Sequence, residues 1–267
     1  MTALTYSVLI LAGNRGPACS VAALDGVSHK ALLSINGVTM IERVISALRE
    51  VTIIEKVTIA IETPEVLKSI PNLKPLFTNG YLDTITAMPT PAQSVLNGFE
   101  ALSASQNGPI LMTTADNCLL TSEIVQHFIN SLNQDTDVTA AVAKTDLVLE
   151  AYPQARRTRM SFSDGSQGGC NLFAFQTGKA RNIINFWRLI EQNRKSPLTM
   201  LRQLGFWVVL RYLSNSLSIS QAVNKLGQRT GTKLAITQMP FPEAAIDVDT
   251  IDDYKLVENI LSKRENK

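Results

Sequence analysis

The stretch SVLILAGNRGPACSVAALDGVSHKALLSINGVTMIERV, residues 7–44, carries the first strand, the first loop and the first helix of the chain. An apolar run of strand type, residues 8–12, breaks at Gly13 into a long segment of small and polar residues. A regular pattern of hydrophobic residues resumes only after Lys30. We therefore ask which ligand a loop binds when it follows a first strand directly.

The first 150 residues alternate between strand-like and helical patterns. The strand-like runs are short, apolar and rich in β-branched residues: 7–11, 56–61, 109–113 and 137–143. The helical patterns place apolar residues on one face: 40–51, 93–103 and 122–132, the last with Ser122 as its expected cap. This alternation predicts an α/β fold, a mostly parallel doubly wound sheet with helices on both faces. In such sheets, ligands bind at the carboxyl ends of the strands.

The composition is that of an ordinary globular protein: 267 residues, 45% of them hydrophobic, enough for one large domain or one domain with an elaboration. The 25 basic and 23 acidic residues give a net charge near +2, so we expect no nucleic-acid partner. Three widely spaced cysteines, Cys19, Cys118 and Cys170, suggest packing residues in a reducing compartment, with neither a disulfide framework nor a zinc site. No apolar run approaches the roughly 20 residues that span a bilayer, and no basic segment precedes the first one. We expect a cytoplasmic protein.

Asp116 occupies an informative position, because it directly follows an apolar strand and precedes a helix in the segment ADNCLLTSEIV. A carboxylate there faces the ligand crevice and is a suitable ligand for Mg²⁺, which takes one or two carboxylates plus substrate phosphates. The alternative is that Asp116 or Asn117 only shapes the turn through local hydrogen bonds. Position alone leaves both interpretations open.

A second acidic cluster lies near the C-terminus, in AAIDVDTIDDYKLVENIL. Asp247 and Asp249 are two apart, so in an extended segment they point the same way and can face one cavity. Thr250 follows as a helix cap. Asp252 and Asp253 come early in the helix, where the macrodipole stabilises negative charge without any chemical role.

Four segments follow one another along the chain: LAG at the end of the first strand, HKALLSINGVTMIERV, TTADNCLLT and AIDVDTIDDYKLVENIL. Their order and spacing resemble those of the MobA-like (molybdenum cofactor guanylyltransferase-like) nucleotidyltransferases. The resemblance covers about residues 5–175 and 233–262. It implies a GT-A-like, Rossmann-type fold.

The resemblance also implies roles for individual residues. In the family, the loop after the first strand wraps the triphosphate of an NTP through backbone amides. An arginine in that loop and a lysine at its end neutralise the phosphates. The matching nucleotide-binding positions are Leu11, Ala12, Gly13, Asn14 and Gly16, with Arg15 and Lys30 as catalytic residues. Gln93 and Ser94 match the start of a helix near the base, and Asp116, joined by Asp247 or Asp249, would carry Mg²⁺.

The first loop departs from the family pattern, which is close to LAGGxSxRMGxxK. Asn14 stands where the second glycine is usual, and several extra residues precede Lys30. Apart from the resemblance, Lys30 would be read as a solvated loop lysine, since lysines are mostly exposed.

The segment YPQARRTRMSFSDGSQGGCNLFAF is predicted to form a basic turn, a strand, a turn and a second strand after a glycine pair. In the relatives, a segment here contributes to the acceptor site. The matching positions are Arg157, Gly168, Gly169 and Asn171. Arginines in the basic turn, including Arg156 and Arg159, are suited to an anionic acceptor, although a solvated basic loop explains them equally well.

Residues 178–231 are predicted to form a helical insertion between a core, residues 1–177, and a C-terminal return to it, residues 232–267. Two or three helices are expected, with breaks near Pro197 and Asn215. The apolar run 206–210 suggests a buried helix that packs on the sheet or forms a homodimer. Aromatic residues beside basic ones leave a peripheral membrane or lipid-type acceptor contact as the alternative.

The resemblance implies an enzyme, a Mg²⁺-dependent nucleotidyltransferase that moves NMP from an NTP to a phosphorylated small-molecule or lipid-type acceptor and releases pyrophosphate. One alternative is a non-catalytic protein that binds a nucleotide or sugar nucleotide. Another is a GT-A glycosyltransferase, which normally has a DxD metal motif after a central strand. Here that strand is followed by ADN, and DVD comes near the C-terminus, which favours the nucleotidyltransferase.

Overall fold

The computed structural model describes residues 4–14, 26–105, 108–156, 159–193 and 205–266. Its strands are β1 Tyr6–Leu11, β2 Ser34–Ile35, β3 Val38–Thr39, β4 Ile54–Ile61, β5 Leu82–Thr86, β6 Ile110–Thr114, β7 Val138–Lys144, β8 Met160–Phe162, β9 Gly165–Phe175 and β10 Leu234–Gln238. Eight of them form one sheet in the order β10-β7-β9-β6-β1-β4-β5, with β8 paired to β9. The strands β2 and β3 form a separate antiparallel hairpin.

The main sheet is mostly parallel, as the alternation of strands and helices predicts. β1 pairs in parallel with β4 and β6, β4 with β5, and β7 with β10. Among the described strands of this sheet, β9 alone runs in the opposite direction, because it is antiparallel to β6, β7 and β8. The strand-like runs predicted from the sequence correspond to β1, β4, β6 and β7.

Helices cover both faces of the sheet. They are α1 Met40–Arg49, α2 Glu65–Lys68, α3 Lys74–Thr78, α4 Pro91–Ser105, α5 Ser122–Asn130, α6 Thr145–Ala151, α7 Ala180–Gln192, α8 Phe206–Leu213, α9 Ile219–Thr230 and α10 Ile251–Glu265. Short 3₁₀ helices are formed by Lys30–Leu32 and Pro242–Ala245. Alternate residues of β1 enter different cores: Val8 and Ile10 pack with α1, α5 and α10, whereas Leu9 packs with α4 and α7.

The close approach of α4 to β1 requires a glycine. A β-carbon added to Gly98 would lie 2.5 Å from Cδ2 of Leu9, which is inside van der Waals contact. α4 thereby packs closely on β1 and also contacts β4 and β6.

Helix starts follow local hydrogen bonding. Thr250 caps α10 as predicted, and its capping box uses Asp253 at the third helical position. The prediction that Ser122 caps α5 was wrong by one residue. Thr121 has the extended backbone of a cap and accepts the amide of Ile124, while Ser122 is already helical.

The region 178–231 contains α7, α8 and α9, and the break between α8 and α9 includes Asn215 with φ 51°. The expected break at Pro197 lies outside the described residues. The expectation that residues 206–210 are buried was wrong for the residues whose side chains are described: Trp207 is 72% exposed and Leu210 45% exposed. The short helix α8 lies at the surface, so one face contacts solvent. None of the described helices is both long and apolar enough to cross a bilayer.

Candidate active site

The carboxyl ends of β1, β4 and β6 lie side by side and open into three polar segments. Leu11, the last residue of β1, is opposite Ala60 of β4 and Thr114 of β6. The amide of Ala12 donates to the carbonyl of Ala60, and the amide of Ala115 to that of Leu11. The residues that follow these strands are therefore brought to one edge of the sheet, as the strand order requires.

Lys30 is the centre of this edge. Its Nζ lies 2.6 Å from Oδ2 of Asp116 and 2.7 Å from Oδ1 of Asp249. The Lys30 side chain is only 17% exposed, whereas that of Asp249 is 63% exposed. Burial disfavours the charged ammonium, but Asp116 and then Asp249 outweigh it and leave the pKa of Lys30 above its ordinary value. Lys30 is thus a charged, partly buried residue rather than a solvated loop lysine.

Local hydrogen bonds hold the two carboxylates in place. Asp116 Oδ1 accepts from the Thr114 hydroxyl at 2.5 Å, which orients the side chain directly after β6. The backbone carbonyl of Asp116 accepts the amide of Val248 at 3.2 Å, so the C-terminal segment is attached to the end of β6. The amide of Asp249 donates to Oδ2 of Asp253, part of the N-terminus of α10.

Both ends of the first loop lie next to Glu62, the residue after β4, which the sequence patterns did not indicate. Both carboxylate oxygens of Glu62 accept the amide of Asn14, at 2.9 and 3.1 Å. His29 Nε2 lies 3.8 Å from the same carboxylate. Glu62 follows β4 without any motif around it, and only its position after a parallel strand could have indicated it.

Asn14 has a structural role that a glycine cannot fill. Its Nδ2 donates to the carbonyl of Ser28 at 2.7 Å, so the residues that flank the segment 15–25 are held together. The predicted phosphate residues Arg15 and Gly16 lie outside the described residues. A β-carbon on Gly13 would meet Glu62 Oε1 at 3.2 Å and Ala87 at 3.3 Å, so the backbone there passes close to both neighbouring loops.

Gln93 and Ser94 lie in the first turn of α4, as predicted. The Ser94 hydroxyl accepts the amide of Met88 at 2.8 Å and fixes the loop between β5 and α4. Gln93 Oε1 is buried and has no hydrogen-bond partner among the described residues. That oxygen is available to a ligand group.

On the other side of the edge, β9 carries the predicted acceptor residues. Gly168 and Gly169 pair with Ala143 and Val142 of β7, next to an irregularity in the register. Asn171 has φ 47°, and its Nδ2 donates to Oδ2 of Asp247 at 2.6 Å. Asp247 therefore contacts β9, while Asp249 contacts Lys30.

Two arginines of the basic turn are described, Arg156 and Arg159, and both are exposed. Arg157 lies outside the described residues. Arg156 is 86% exposed and lies 3.7 Å from Asp252. Arg159 is also exposed and follows in the same basic segment.

A cation site is compatible with the Asp116 and Asp249 side chains, because both carboxylates approach the same nitrogen atom within 2.7 Å. Oxygen ligands of this type suit Mg²⁺. Among the described residues, no group of three or more histidine, cysteine or acidic side chains is arranged around one point. The protein would therefore supply two carboxylates, and phosphate oxygens and water the other ligands.

The described cysteines are not part of this site. Cys118 and Cys170 are buried free thiols, 2% and 1% exposed. Burial raises the pKa of each thiol to about 12. They are packing residues, as predicted, and Cys19 lies outside the described residues.

The model of the MobA-like NTP transferase domain matches residues 8–180, well over half of the chain. The chain belongs to the MobA-like NTP transferase family. The match includes Lys30, Asp116 and the glycines of β9, which agrees with the resemblance found in the sequence. Compared with curated proteins by sequence, the chain matches none.

Solved structures with the same fold include a hypothetical transferase from Thermus thermophilus, with a TM-score of 0.77 and 23% identity over 94% of this chain and 100% of the other. A 4-diphosphocytidyl-2C-methyl-D-erythritol synthase from Anaerococcus prevotii has a TM-score of 0.57 and 13% identity over 97% and 96% of the two chains. A CMP:2-keto-3-deoxy-manno-octonic acid synthetase complexed with CTP has a TM-score of 0.56 and 11% identity over 97% and 99%. At these identities the likeness establishes the fold, which is that of nucleotidyltransferases.

Proposed function

We propose that this protein is a Mg²⁺-dependent nucleotidyltransferase that transfers NMP from an NTP to a small phosphorylated acceptor. The observation that carries the proposal is the convergence of Lys30, Asp116 and Asp249 on one point at the carboxyl edge of the sheet. The ammonium group can neutralise phosphate charge, and the two carboxylates can hold the metal ion that accompanies a triphosphate. Two proteins with the same fold are a 4-diphosphocytidyl-2C-methyl-D-erythritol synthase and a CMP:2-keto-3-deoxy-manno-octonic acid synthetase, the second complexed with CTP.

The reaction needs no covalent protein intermediate. An oxygen of the acceptor attacks the α-phosphorus of the NTP and forms a new P–O bond. The bond from the α-phosphorus to the bridging oxygen breaks, and pyrophosphate leaves with the electron pair. Such transfer depends mainly on positioning and on neutralising charge on phosphate oxygens.

The residues of this chain supply those two requirements. The backbone around Gly13 and Asn14 faces the phosphates, and Lys30 neutralises their charge. Asp116 and Asp249 would hold Mg²⁺, which stabilises negative charge on the phosphates when bound. Asn171, through its bond to Asp247, shapes the acceptor side.

We also propose that the protein works in a reducing compartment such as the cytoplasm. The buried free thiols of Cys118 and Cys170 are suited to such a compartment.

The test is pyrophosphate release with each of the four NTPs, Mg²⁺ and a panel of phosphorylated alcohols and sugars. We expect release that requires one NTP and one acceptor and that Asp116→Asn abolishes. Asp135→Asn is the matched control, because Asp135 is an exposed loop residue whose carboxylate makes no hydrogen bond to the described residues.

Two outcomes contradict the proposal. Mg²⁺-dependent NTP binding without release against the whole panel supports the non-catalytic alternative. Transfer of a sugar from a nucleotide sugar, with no reaction from NTPs, supports the glycosyltransferase.

A further inference from the structure

Helix α8 exposes a stripe of large apolar side chains that the proposed function does not use. Trp207 is 72% exposed, Leu210 45% and Leu213 76%. They are spaced three residues apart, so they lie within about 120° of one another around the helix. Among the described residues, Leu213 and Trp207 are the two most exposed large apolar side chains. We call these three residues the α8 face.

Contacts on the opposite side fix the direction in which the α8 face points. The ring of Tyr212 packs edge-to-face against Phe162, with 5.7 Å between the ring centroids, and Val208 is half-buried. Arg211 donates to the side chain of Gln221 at 2.8 Å, which attaches the end of α8 to α9. The exposure of the α8 face is therefore a property of the folded protein.

The region that contains α8 carries most of the positive charge of the chain. Of the 25 basic and 23 acidic side chains, residues 178–231 contain nine basic ones and a single acidic one, Glu191, a net charge of +8. The rest of the chain has 16 basic and 22 acidic side chains, a net charge of −6. A charge asymmetry of this size indicates an anionic partner for the cationic part.

Three of these cations belong to α8 and to the helix beside it. Arg211 is exposed and follows Trp207 by one helical turn. Arg229 of α9 reaches the start of α8, because its Nη1 lies 3.8 Å from the place of a β-carbon on Gly205. Lys225 is exposed one turn before Arg229. An apolar stripe and exposed cations therefore lie on adjoining surfaces.

We propose that the α8 face binds the surface of an anionic lipid bilayer. Its three apolar side chains enter the boundary between headgroups and acyl chains, and Arg211 and Arg229 contact lipid phosphates. Helices that lie in a bilayer interface have this combination of an apolar face with basic neighbours. The proposal does not depend on nucleotidyl transfer, because none of these residues belongs to the site around Lys30.

Two other occupants suit the α8 face less well. A helix of eight residues is about 12 Å long, too short to supply alone the roughly 800 Å² that each partner of a stable dimer buries. A dimer through this face would also bring two cationic regions together. Nucleic acid matches the charge, but its phosphate backbone would leave Leu210 and Leu213 in contact with water.

Co-sedimentation of the full chain with lipid vesicles tests the proposal. The probes are vesicles of phosphatidylcholine alone and vesicles that also contain about one-third phosphatidylglycerol. We expect binding to the anionic vesicles to be at least about tenfold tighter than to the neutral ones, and to weaken as the salt concentration rises.

The apolar contribution is tested with a variant that leaves the fold intact. We expect Leu213→Gln to weaken binding to the anionic vesicles about tenfold, because the leucine no longer leaves water for the acyl region. The matched control is Leu4→Gln, since Leu4 is 54% exposed and lies outside residues 178–231. It should bind the vesicles as the wild type does.

The charged contribution is tested with two variants of one residue. Arg211→Gln removes the cation and should weaken binding about fivefold, whereas Arg211→Lys keeps the cation and should retain binding. Arg49→Gln, at the exposed end of α1, removes a cation elsewhere and should have no effect. An equal loss in Arg211→Lys would assign the effect to the hydrogen bonds of Arg211 and overturn its role as a lipid contact.

Fluorescence reports whether the α8 face enters the bilayer. The chain has two tryptophans, so Trp187→Phe leaves Trp207 as the single one. We expect the emission of Trp207 to shift to shorter wavelength with anionic vesicles and to be quenched by lipids brominated on their acyl chains. Vesicle binding without this shift would show attraction by charge alone and overturn the insertion of α8.

The remaining outcomes contradict the proposal in distinguishable ways. Absence of binding to anionic vesicles, or binding that Leu213→Gln leaves unchanged, overturns it. A dimer in analytical ultracentrifugation that Leu213→Gln dissociates, together with no vesicle binding, makes the α8 face a contact between two copies of the chain. Binding of a single-stranded RNA oligonucleotide more tightly than anionic vesicles assigns the cationic region to nucleic acid.

Discussion

The Nζ atom of Lys30 lies 2.6 Å from Oδ2 of Asp116, although the two residues are 86 positions apart in the sequence. One ends the first loop, and the other follows the strand that pairs with β1. Because the pKa of Lys30 is raised, the stabilisation that its charge provides is complete below the unfolded value of about 10.4. It is lost as the pH rises through the higher folded value.

Removal of the Lys30 charge should impair catalysis more than folding. In Lys30→Gln, the phosphates lose a cation, and Asp116 and Asp249 lose the ammonium between them. We expect kcat/KM for pyrophosphate release to fall about 100- to 1000-fold. The control is Lys56→Gln, which removes an exposed ion pair with Asp83 and should leave kcat/KM unchanged. An equal fall in kcat/KM in both variants would show that activity depends on the net charge of the protein and not on the position of Lys30.

Neutralising Glu62 should tighten NTP binding. Its carboxylate occupies the Asn14 amide and would repel a triphosphate beside it. The Glu62 side chain is 39% exposed, so at short range its charge should weaken NTP binding by about 1 kcal/mol. Glu62→Gln should therefore lower the NTP Kd about fivefold at low salt. Calorimetric titration measures it, with exposed Glu65→Gln as control. Weaker binding in Glu62→Gln would mean that the carboxylate helps to hold the nucleotide.

The backbone of Asn171 and its side-chain bond to Asp247 can be separated by substitution. Asn171 and Asn215 have φ values of 47° and 51°, and only Asn171 makes a side-chain hydrogen bond that the structure describes. We expect Asn215→Ala to lower the free energy of unfolding by about 1 kcal/mol, the backbone cost alone. Asn171→Ala should cost about 1 kcal/mol more. Urea denaturation measures both, and equal costs would show that the bond contributes nothing.

The buried thiols should be unreactive in the folded protein. In a Cys19→Ser variant, Cys118 and Cys170 are the remaining cysteines, and their raised pKa values keep them protonated at neutral pH. We expect titration with an aromatic disulfide reagent at pH 8 to detect almost no thiol without denaturant and both thiols in guanidinium chloride. Rapid reaction of either thiol in the native protein would contradict its burial.

The surface position of α8 predicts tolerance to polar substitution. Leu213 is 76% exposed, whereas Leu48 of α1 is fully buried. We expect Leu213→Gln to change the free energy of unfolding by less than about 0.5 kcal/mol. Leu48→Ala should cost about 2 to 5 kcal/mol. A large cost for Leu213→Gln would restore the interpretation of α8 as a buried helix.

The sequence was sufficient to predict that Lys30 and Asp116 lie at the same edge of the sheet, because parallel strands bring their carboxyl ends together. Once β1 and β6 are recognised as neighbours, Lys30 and Asp116 must be close, and the C-terminal carboxylates follow from the family pattern. This does not extend to Glu62, because its contact with Asn14 depends on β4 lying next to β1, and no motif marks it.

Other features could not be predicted from the sequence, because they depend on contacts between segments that are distant along the chain. The burial of Thr145 requires β9 and the 3₁₀ helix Pro242–Ala245 to close over α6, which no local pattern indicates. The exposure of α8 was missed for the opposite reason: an apolar run predicts burial, but the tertiary structure leaves one face of this helix at the surface. Asp247 and Asp249 follow the alternation expected of an extended segment, yet each has its own partner.

The place of β9 between β6 and β7 has a consequence for how the chain assembles during synthesis. The strands β1, β4, β5 and β6 can pair as soon as residue 114 has been made, because they are consecutive partners in the sheet. β7 is made next but finds no described neighbour until β9, which ends at Phe175, is inserted. A ribosome-bound chain shorter than this carries unpaired strand edges, which are templates for aggregation. The half of the sheet that carries Lys30 and Asp116 can therefore form before the half that contains β7, β9 and β10.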